Sequence, residues 1–238
     1  MILRAGFFAL ASIAALTAAD YKDVNRTVSL TPSGSVTIET HKGSIRVTTW
    51  DRAEVEIKAR IESEPGTTMD RRRFEGTEVR IVSSPDAVDI RTEYPEFGWC
   101  CNDDEGNNPD VHYTIQMPRT GQLTIRDHRS ETEIADLQGA LDIDTHRGTV
   151  RVHRLAGSLQ LTTHRGDVQV EFARLTGNVS VDTHRGTIEL AMPKSSRFDV
   201  RSDLGKHASL ETDFPHTSGS GPIVDLKTYR GSIRLRAL

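Results

Sequence analysis

From Leu141 to Met192 apolar and polar side chains alternate in short runs: "LDIDT", "TVRVHR", "SLQLTT", "DVQVEF", "NVSVDT" and "TIELAM". A period of two is that of a strand with one face in a core and the other in water, not the 3.6-residue period of a helix. Reading one face inward gives a predicted core of Leu141, Ile143, Val150, Val152, Leu159, Leu161, Val168, Val170, Val179, Val181, Ile188 and Leu190. The other face, with Asp142, Arg151, Gln160, Gln169, Glu171, Ser180 and Glu189, is predicted to lie in water.

The runs are punctuated by one phrase, "DTHRGTV" at 144–150, "TTHRGDV" at 162–168 and "DTHRGTI" at 182–188. Aligned on histidine, the repeats fall at His128, His146, His164 and His184, in steps of 18, 18 and 20 residues. A constant period marks stacked units. Gly148, Gly157, Gly166, Gly177 and Gly186 stand where the chain must turn, and glycine reaches positive φ there at no steric cost. Two all-β architectures fit. In a single-stranded β-solenoid, each coil of about 18–20 residues lays strands on successive sheets and coils stack at roughly 4.8 Å. In an antiparallel meander the same strands pair as hairpins. The returning turn favours the solenoid.

Weaker copies precede and follow the repeats. "GSVTIETHKGSIRVTTWDRAEVEIKARI" at 34–61 contains the same corner at Thr40 to Ile45, and "VDLKTYRGSIRLRAL" closes the chain with Tyr229 in the histidine place, so the last coil is predicted to finish at the terminus. Between them, Thr67 or Thr68 is placed to cap a short helix over 69–75, with "DRRRF" at 70–74 as its solvated face, before strands near 79–83 and 87–92. The segment 93–110 reads as a loop insertion. Its acidic part, "NDDEGNNPD", is rich in oxygen but lacks the spacing of an EF-hand loop, and reads as an exposed loop. The opening "MILRAGFFALASIAALTAAD" has one basic residue, Arg4, an apolar run from Ala5 to Leu16 and small residues after it, the order of a secretory signal peptide over 1–19. Residues 20–238 then form one domain, without a second apolar stretch near the ~20 residues of a spanning helix.

The order of these pieces carries a resemblance. "GSVTIETHKGSIRVTTWDRAEVEIKA", then "VHYTIQMPR", then the repeated "L-x-G-x-L-x-L-x-T-x-x-G-x-V-x-V" and the closing "LKTYRGSIRL" resemble the bacterial candidate-adhesin family of exported β-solenoid domains. The likeness runs from about Val28 to Leu238. It implies a right-handed parallel β-helix outside the cytoplasmic membrane, periplasmic or at the cell surface, with no catalytic residue and no cofactor. The family's name rests on analogy of fold, which does not determine function.

Aromatic residues make up only 5% of the chain, so the core must come from Val, Ile and Leu, and the formal charge of -4 gives no general reason to expect nucleic acid. Cys100 and Cys101 are adjacent, and Cα atoms about 3.8 Å apart fall below the usual ~4.4 Å disulfide minimum, so no disulfide framework supports the fold. A carbohydrate-active enzyme would need paired carboxylates; Asp142, Asp144, Asp182 and Glu189 are candidates, although alternating strands place such residues outward in any case. Stacked coils would bring the histidines into a file in which His146, His164 and His184, with Asp144 or Asp182, could share Zn²⁺ or Ni²⁺. Arg129, Arg147, Arg165, Arg185 and Arg230 would form a second file, either neutralised internally by Asp127, Asp144, Asp167 and Asp182 or open to a phosphate- or carboxylate-bearing polymer. The reading is a non-enzymatic envelope module that binds or scaffolds through this His-Arg-Gly edge. The alternative is an envelope-stress or regulatory partner that docks a protein on a flat face or an end coil.

Overall fold

The computed structural model describes residues 20–63, 66–96, 107–214 and 221–238. The segment 1–19, read above as a signal peptide, and the pair Cys100 and Cys101 lie outside the described residues, as does most of the acidic loop. In chain order the elements are β1 (Tyr21–Ser29), β2 (Ser35–Glu39), β3 (Lys42–Trp50), β4 (Glu54–Glu62), α1 (Thr68–Gly76), β5 (Glu78–Ser83), β6 (Ala87–Glu93) and β7 (Asp110–Pro118). The repeats follow as β8 (Gln122–Ala135), β9 (Leu141–Leu155), β10 (Leu159–Arg165), β11 (Val168–Phe172), β12 (Val179–Met192), β13 (Asp199–Thr212) and β14 (Ile223–Ala237). No helix among the described residues is long and apolar enough to cross a membrane.

The repeats stack as parallel rungs in register. Leu159 lies opposite Leu141 on one side and Val179 on the other, and β8, β9, β10 with β11, β12, β14 and β13 follow one another in that order. Hairpin pairing is therefore absent from these rungs. Antiparallel pairs occur at the N-terminal end, where β4 joins β7, β1 joins β4 and β5 joins β6, so the sheet as a whole is mixed.

Stacking order departs from chain order at both ends. β2 and β3 sit between the β6–β7 rung and β8, although β6 and β7 come later in the chain. β14 likewise inserts between β12 and β13. The final repeat is thus the penultimate rung, not the terminal one.

The predicted inward residues are the core: all twelve are at most 2% exposed. Each rung adds inward side chains such as Leu141, Ile143, Val150, Val152 and Leu155, worth about 1.5–3 kcal/mol apiece when fully buried. The helix runs one residue beyond the prediction at each end. Thr67 caps it, its hydroxyl accepting from the Asp70 N–H at 3.2 Å while its own N–H donates to Asp70 Oδ2 at 2.6 Å. "DRRRF" is only partly a solvated face, because Asp70 and Phe74 are buried and only Arg71 and Arg72 among its charges are fully exposed. Asp70 also accepts the Asn107 N–H at 2.7 Å, which ties the helix to the chain entering β7.

The corner glycines divide into two kinds. Gly148, Gly166 and Gly186 have φ of 146°, 159° and 151°, as predicted, and so do the outlying copies Gly43 and Gly231 at 128° and 130°. Gly157 and Gly177 do not take positive φ. Gly157 is required for another reason: a Cβ there would lie 1.8 Å from the Gly139 carbonyl oxygen of the neighbouring rung.

Candidate functional site

In "THRG" the threonine faces inward, the histidine and arginine face out and the glycine turns the chain. Repetition in register converts each letter into a file along the stack. The inward file of Asp127, Thr145, Thr163, Thr183 and Thr228 fills the corner, and its threonines are at most 3% exposed.

The histidine file is a continuous pile of rings. Centroid separations are 4.6 Å for His41 on His128, 4.7 Å for His128 on His146, 4.8 Å for His146 on His164 and 4.8 Å for His164 on His184. Tyr229 continues it at 5.0 Å, and no ring is tilted more than 5° from the next. Tyr94 closes the N-terminal end edge-on against His41. The sequence reading named the four central histidines; His41 and Tyr229 extend the pile because their rungs stack beside β8 and β12.

Parallel rings hold their ring nitrogens in separate planes nearly 5 Å apart, whereas zinc needs each imidazole nitrogen at about 2.0–2.1 Å with lone pairs converging. Among the described residues no group of three or more His, Cys, Asp or Glu is arranged to hold a metal ion. His146, His164 and His184 are brought together as a stack, not as a coordination shell. Burial holds the His146 pKa below the ordinary histidine value, and the charges of His128, His164, Arg147 and Arg165 add to the effect.

The cation file is also in register: Lys42, Arg129, Arg147, Arg165, Arg185 and Arg230 lie opposite one another across six successive rungs. Lys42 was not in the sequence-predicted set; its signal was the "THKG" copy at 40–43. The five arginines are exposed. None of them forms an ion pair with a described residue, and Arg230 instead lies over the Tyr229 ring at 5.5 Å.

The internal Arg-to-Asp lattice is not formed: three of its four carboxylates are committed elsewhere, and Asp127 stands in the inward threonine file. Asp144 pairs with Arg126 at 3.9 Å, Asp182 pairs with Lys227 at 3.2 Å, and Asp167 accepts the Thr187 N–H at 3.0 Å. Asp144 and Asp182 belong to files of another kind. Along the first arm, two residues before the histidines, the stack reads Arg91, Glu39, Arg126, Asp144, Thr162, Asp182, Lys227, Asp203. Along the second arm it reads Arg46, Glu133, Arg151, Gln169, Glu189, Arg234, Glu211. Both alternate in sign around one neutral residue. Opposite charges facing across strands are favourable, so these files stabilise the stack. Asp144 and Asp182, taken as candidate catalytic or metal-binding oxygens, sit two rungs apart with Thr162 between them. Asp142 shares the first arm with them, and Glu189 lies on the second arm within its alternating file.

A groove of about 630 Å³ follows the histidine pile on its first-arm side, between the imidazoles and the file containing Glu39, Asp144 and Asp182. At its floor is Asp127, the one carboxylate in the threonine file. Burial pushes its pKa up to about 6, with a smaller contribution from the Asp144 charge. Thr145 and Ser130 lie near enough to pull the other way, but neither carboxylate oxygen has a partner in hydrogen-bond geometry among the described residues. A raised carboxylate pKa means the folded state holds its proton between an unfolded value of 3.8 and about 6, so this site costs stability above pH 6 and the cost disappears below pH 3.8. A shift of this size corresponds to about 3 kcal/mol at most. Replacing Asp127 with Thr, the residue of the neighbouring rungs, is expected to raise the unfolding free energy by about 1–2 kcal/mol near neutral pH, after the cost of a buried hydroxyl. Denaturant titrations should show that gain vanishing toward pH 4.

This geometry belongs to a sequence segment that has relatives. Residues 118–216 match the model of the family described as Toastrack DUF4097. The matched segment contains the four histidine-bearing rungs from β8 to β12 together with β13. The fold of the chain is similar to the crystal structure of a candidate cell adhesion protein from Clostridium sporogenes, over 91% of this chain and 100% of that one, at 11% identity and a TM-score of 0.52. Looser similarities are to a candidate adhesin from Bacteroides fragilis, at 12% identity, 90% and 97% coverage and a TM-score of 0.39, and to a candidate lipid-binding protein from Parabacteroides distasonis, at 9%, 89% and 96%, and 0.31. A comparison with curated proteins finds no match.

Proposed function

We propose that this protein is a non-enzymatic, exported binding or scaffolding module that holds an anionic polymer of the cell envelope along its corner. One observation carries the reading. The two arm files alternate in sign and neutralise themselves, whereas the corner file is cationic on six consecutive rungs. Like charges stacked at strand spacing repel by about 1 kcal/mol per neighbouring pair even in water, so the corner file works against the fold unless an anion lies on it. Arginine's planar fork suits phosphate and carboxylate groups, and a linear polymer can follow the file from rung to rung.

The leader-like pattern at 1–19 supports export to the periplasm or cell surface, and the fold's likeness to a candidate cell adhesion protein supports binding rather than catalysis. Parallel strands joined by a crossover are right-handed in nearly all sheets, which supports a right-handed parallel β-solenoid for the rungs from β8 onward. The test is an array of phosphate-rich and uronate-rich envelope polymers and neutral glycans, probed with the chain lacking its leader at about 50 and about 200 mM salt. Binding to acidic polymers that weakens steeply with salt is expected; retention of neutral glycans alone would overturn the reading.

A second reading, docking of a protein on an end coil, is favoured by β13. Among the described residues that strand pairs only with β14, and its inward residue Val200 remains 40% exposed. Its register shift between Leu204 and His207 is a bulge of the kind that guards an edge against indiscriminate pairing.

A further inference from the structure

Where the cation file meets the N-terminal end of the ring pile, a cavity of about 230 Å³ opens between β3, β8 and the last turn of α1. Three cations from three elements line it, Lys42, Arg73 and Arg129, together with Asn107 and Asn108 and with the His41 and His128 rings; among the described residues no carboxylate lines it. The Arg73 and Lys42 side chains and the backbone at Arg129 are held in place before any ligand arrives. Arg73 Nη1 donates to Asn108 Oδ1 at 3.1 Å, Lys42 Nζ pairs with Asp110 at 3.0 Å, and the Arg129 N–H donates to the His41 carbonyl at 2.8 Å. Asn107 is fixed by its bond to Asp70, the same carboxylate that caps α1. The role of α1 follows from this: its capping carboxylate anchors one wall of the cavity, and its last turn supplies Arg73.

His41 reports the local field. Burial holds its pKa below the ordinary histidine value, and the charges of His128, Arg129 and Lys42 push the same way. The groups facing it are Lys42 from β3, His128 and Arg129 from β8, and Tyr94 edge-on from the rung below. Among the described residues, Arg73 from α1 and Asp110, through its pair with Lys42, complete the surroundings.

We propose that this cavity is an oxyanion pocket for a phosphate monoester, such as the phosphorylated end of a chain whose remainder lies along the cation file. A guanidinium fork on each of two walls and an ammonium on the third supply charge-assisted donors from three directions, which a tetrahedral dianion accepts better than a planar carboxylate. Water occupies about 30 Å³ per molecule in the liquid, so the cavity has room for a phosphate and the first unit bearing it. The pocket shares Lys42 and Arg129 with the file but depends also on Arg73, which lies outside it, so its occupancy can be tested apart from that of the file.

The test titrates inorganic phosphate into the chain lacking its leader and follows the His41 ring by NMR alongside calorimetry. Saturable binding is expected, with the His41 pKa rising by about one unit and, by linkage, phosphate binding about tenfold more tightly below that pKa than above it. Arg73→Gln and, from a different element, Arg129→Gln should each weaken phosphate at least tenfold and abolish the His41 shift, while Arg174→Gln, at an exposed position outside both the pocket and the file, leaves both unchanged. An unmoved His41 pKa at saturating phosphate overturns the pocket, as does equal loss in Arg174→Gln. Loss of polymer binding with phosphate binding intact would count against the file alone.

Discussion

Gly186→Ala is expected to lower the unfolding free energy by about 4 kcal/mol, among the largest effects a single methyl can have. The backbone at Gly186 has φ of 151°, a region L side chains rarely adopt, at a cost of about 1–3 kcal/mol by itself. Its Cβ would also lie 1.8 Å from the Gly166 carbonyl oxygen of the neighbouring rung. That oxygen is backbone at the corner between β10 and β11, so relief requires two rungs to separate and the ladder hydrogen bonds beside it to lengthen. Because β12 is paired on both sides, the disturbance reaches β10 and β14 together. Ser180→Ala, at an exposed outward position of the same strand, serves as the control and is expected to change stability by less than about 0.5 kcal/mol. Denaturant unfolding of both variants checks the contrast; an equal, small effect at Gly186 would mean that the corner is not the rigid element of the rung.

The strands, their inward face and the corner phrase were legible because each depends on neighbours in sequence. Leu141 and Ile143 announce a strand by their own spacing, and "THRG" announces a corner by its glycine. What was not legible depends on which rung lies beside which. The step from His184 to Tyr229 is 45 residues against a period of 18 to 20, and the surplus is β13, laid on the far side of β14. Nothing local in "DVRSDLGKHASLET" records that detour. The alternating files were hidden for the same reason: Glu39 meets Arg126 across 87 positions, and their opposition exists only once β2 lies on β8. Assigning Asp144 and Asp182 to the arginine file was an error of register. Residues three apart in one rung compete with residues in the same file of the next rung, and the closer cross-strand partners, Arg126 and Lys227, take the carboxylates.

With its carboxylates taken, the corner file makes a prediction that separates binding from structure. In a chain carrying Arg147→Gln, Arg165→Gln and Arg185→Gln, affinity for an acidic envelope polymer is expected to fall at least a hundredfold at low salt. The slope of log affinity against log salt should shrink by about 2 to 3, since each lost phosphate contact removes about 0.7–0.9 from it. Stability should not fall. These arginines pair with no carboxylate among the described residues, and removing three adjacent like charges relieves repulsion of about 1 kcal/mol per neighbouring pair, so the triple variant should unfold at the same denaturant concentration or a higher one. A file kept only to hold the rungs together would behave in the opposite way, losing stability and leaving polymer binding intact. Glutamine keeps the length and hydrogen-bonding capacity of the side chain, so the loss would be assigned to charge. Restoring lysine at the three positions should recover the salt slope but only part of the affinity, because a point charge replaces the charge of the fork but not its paired donors.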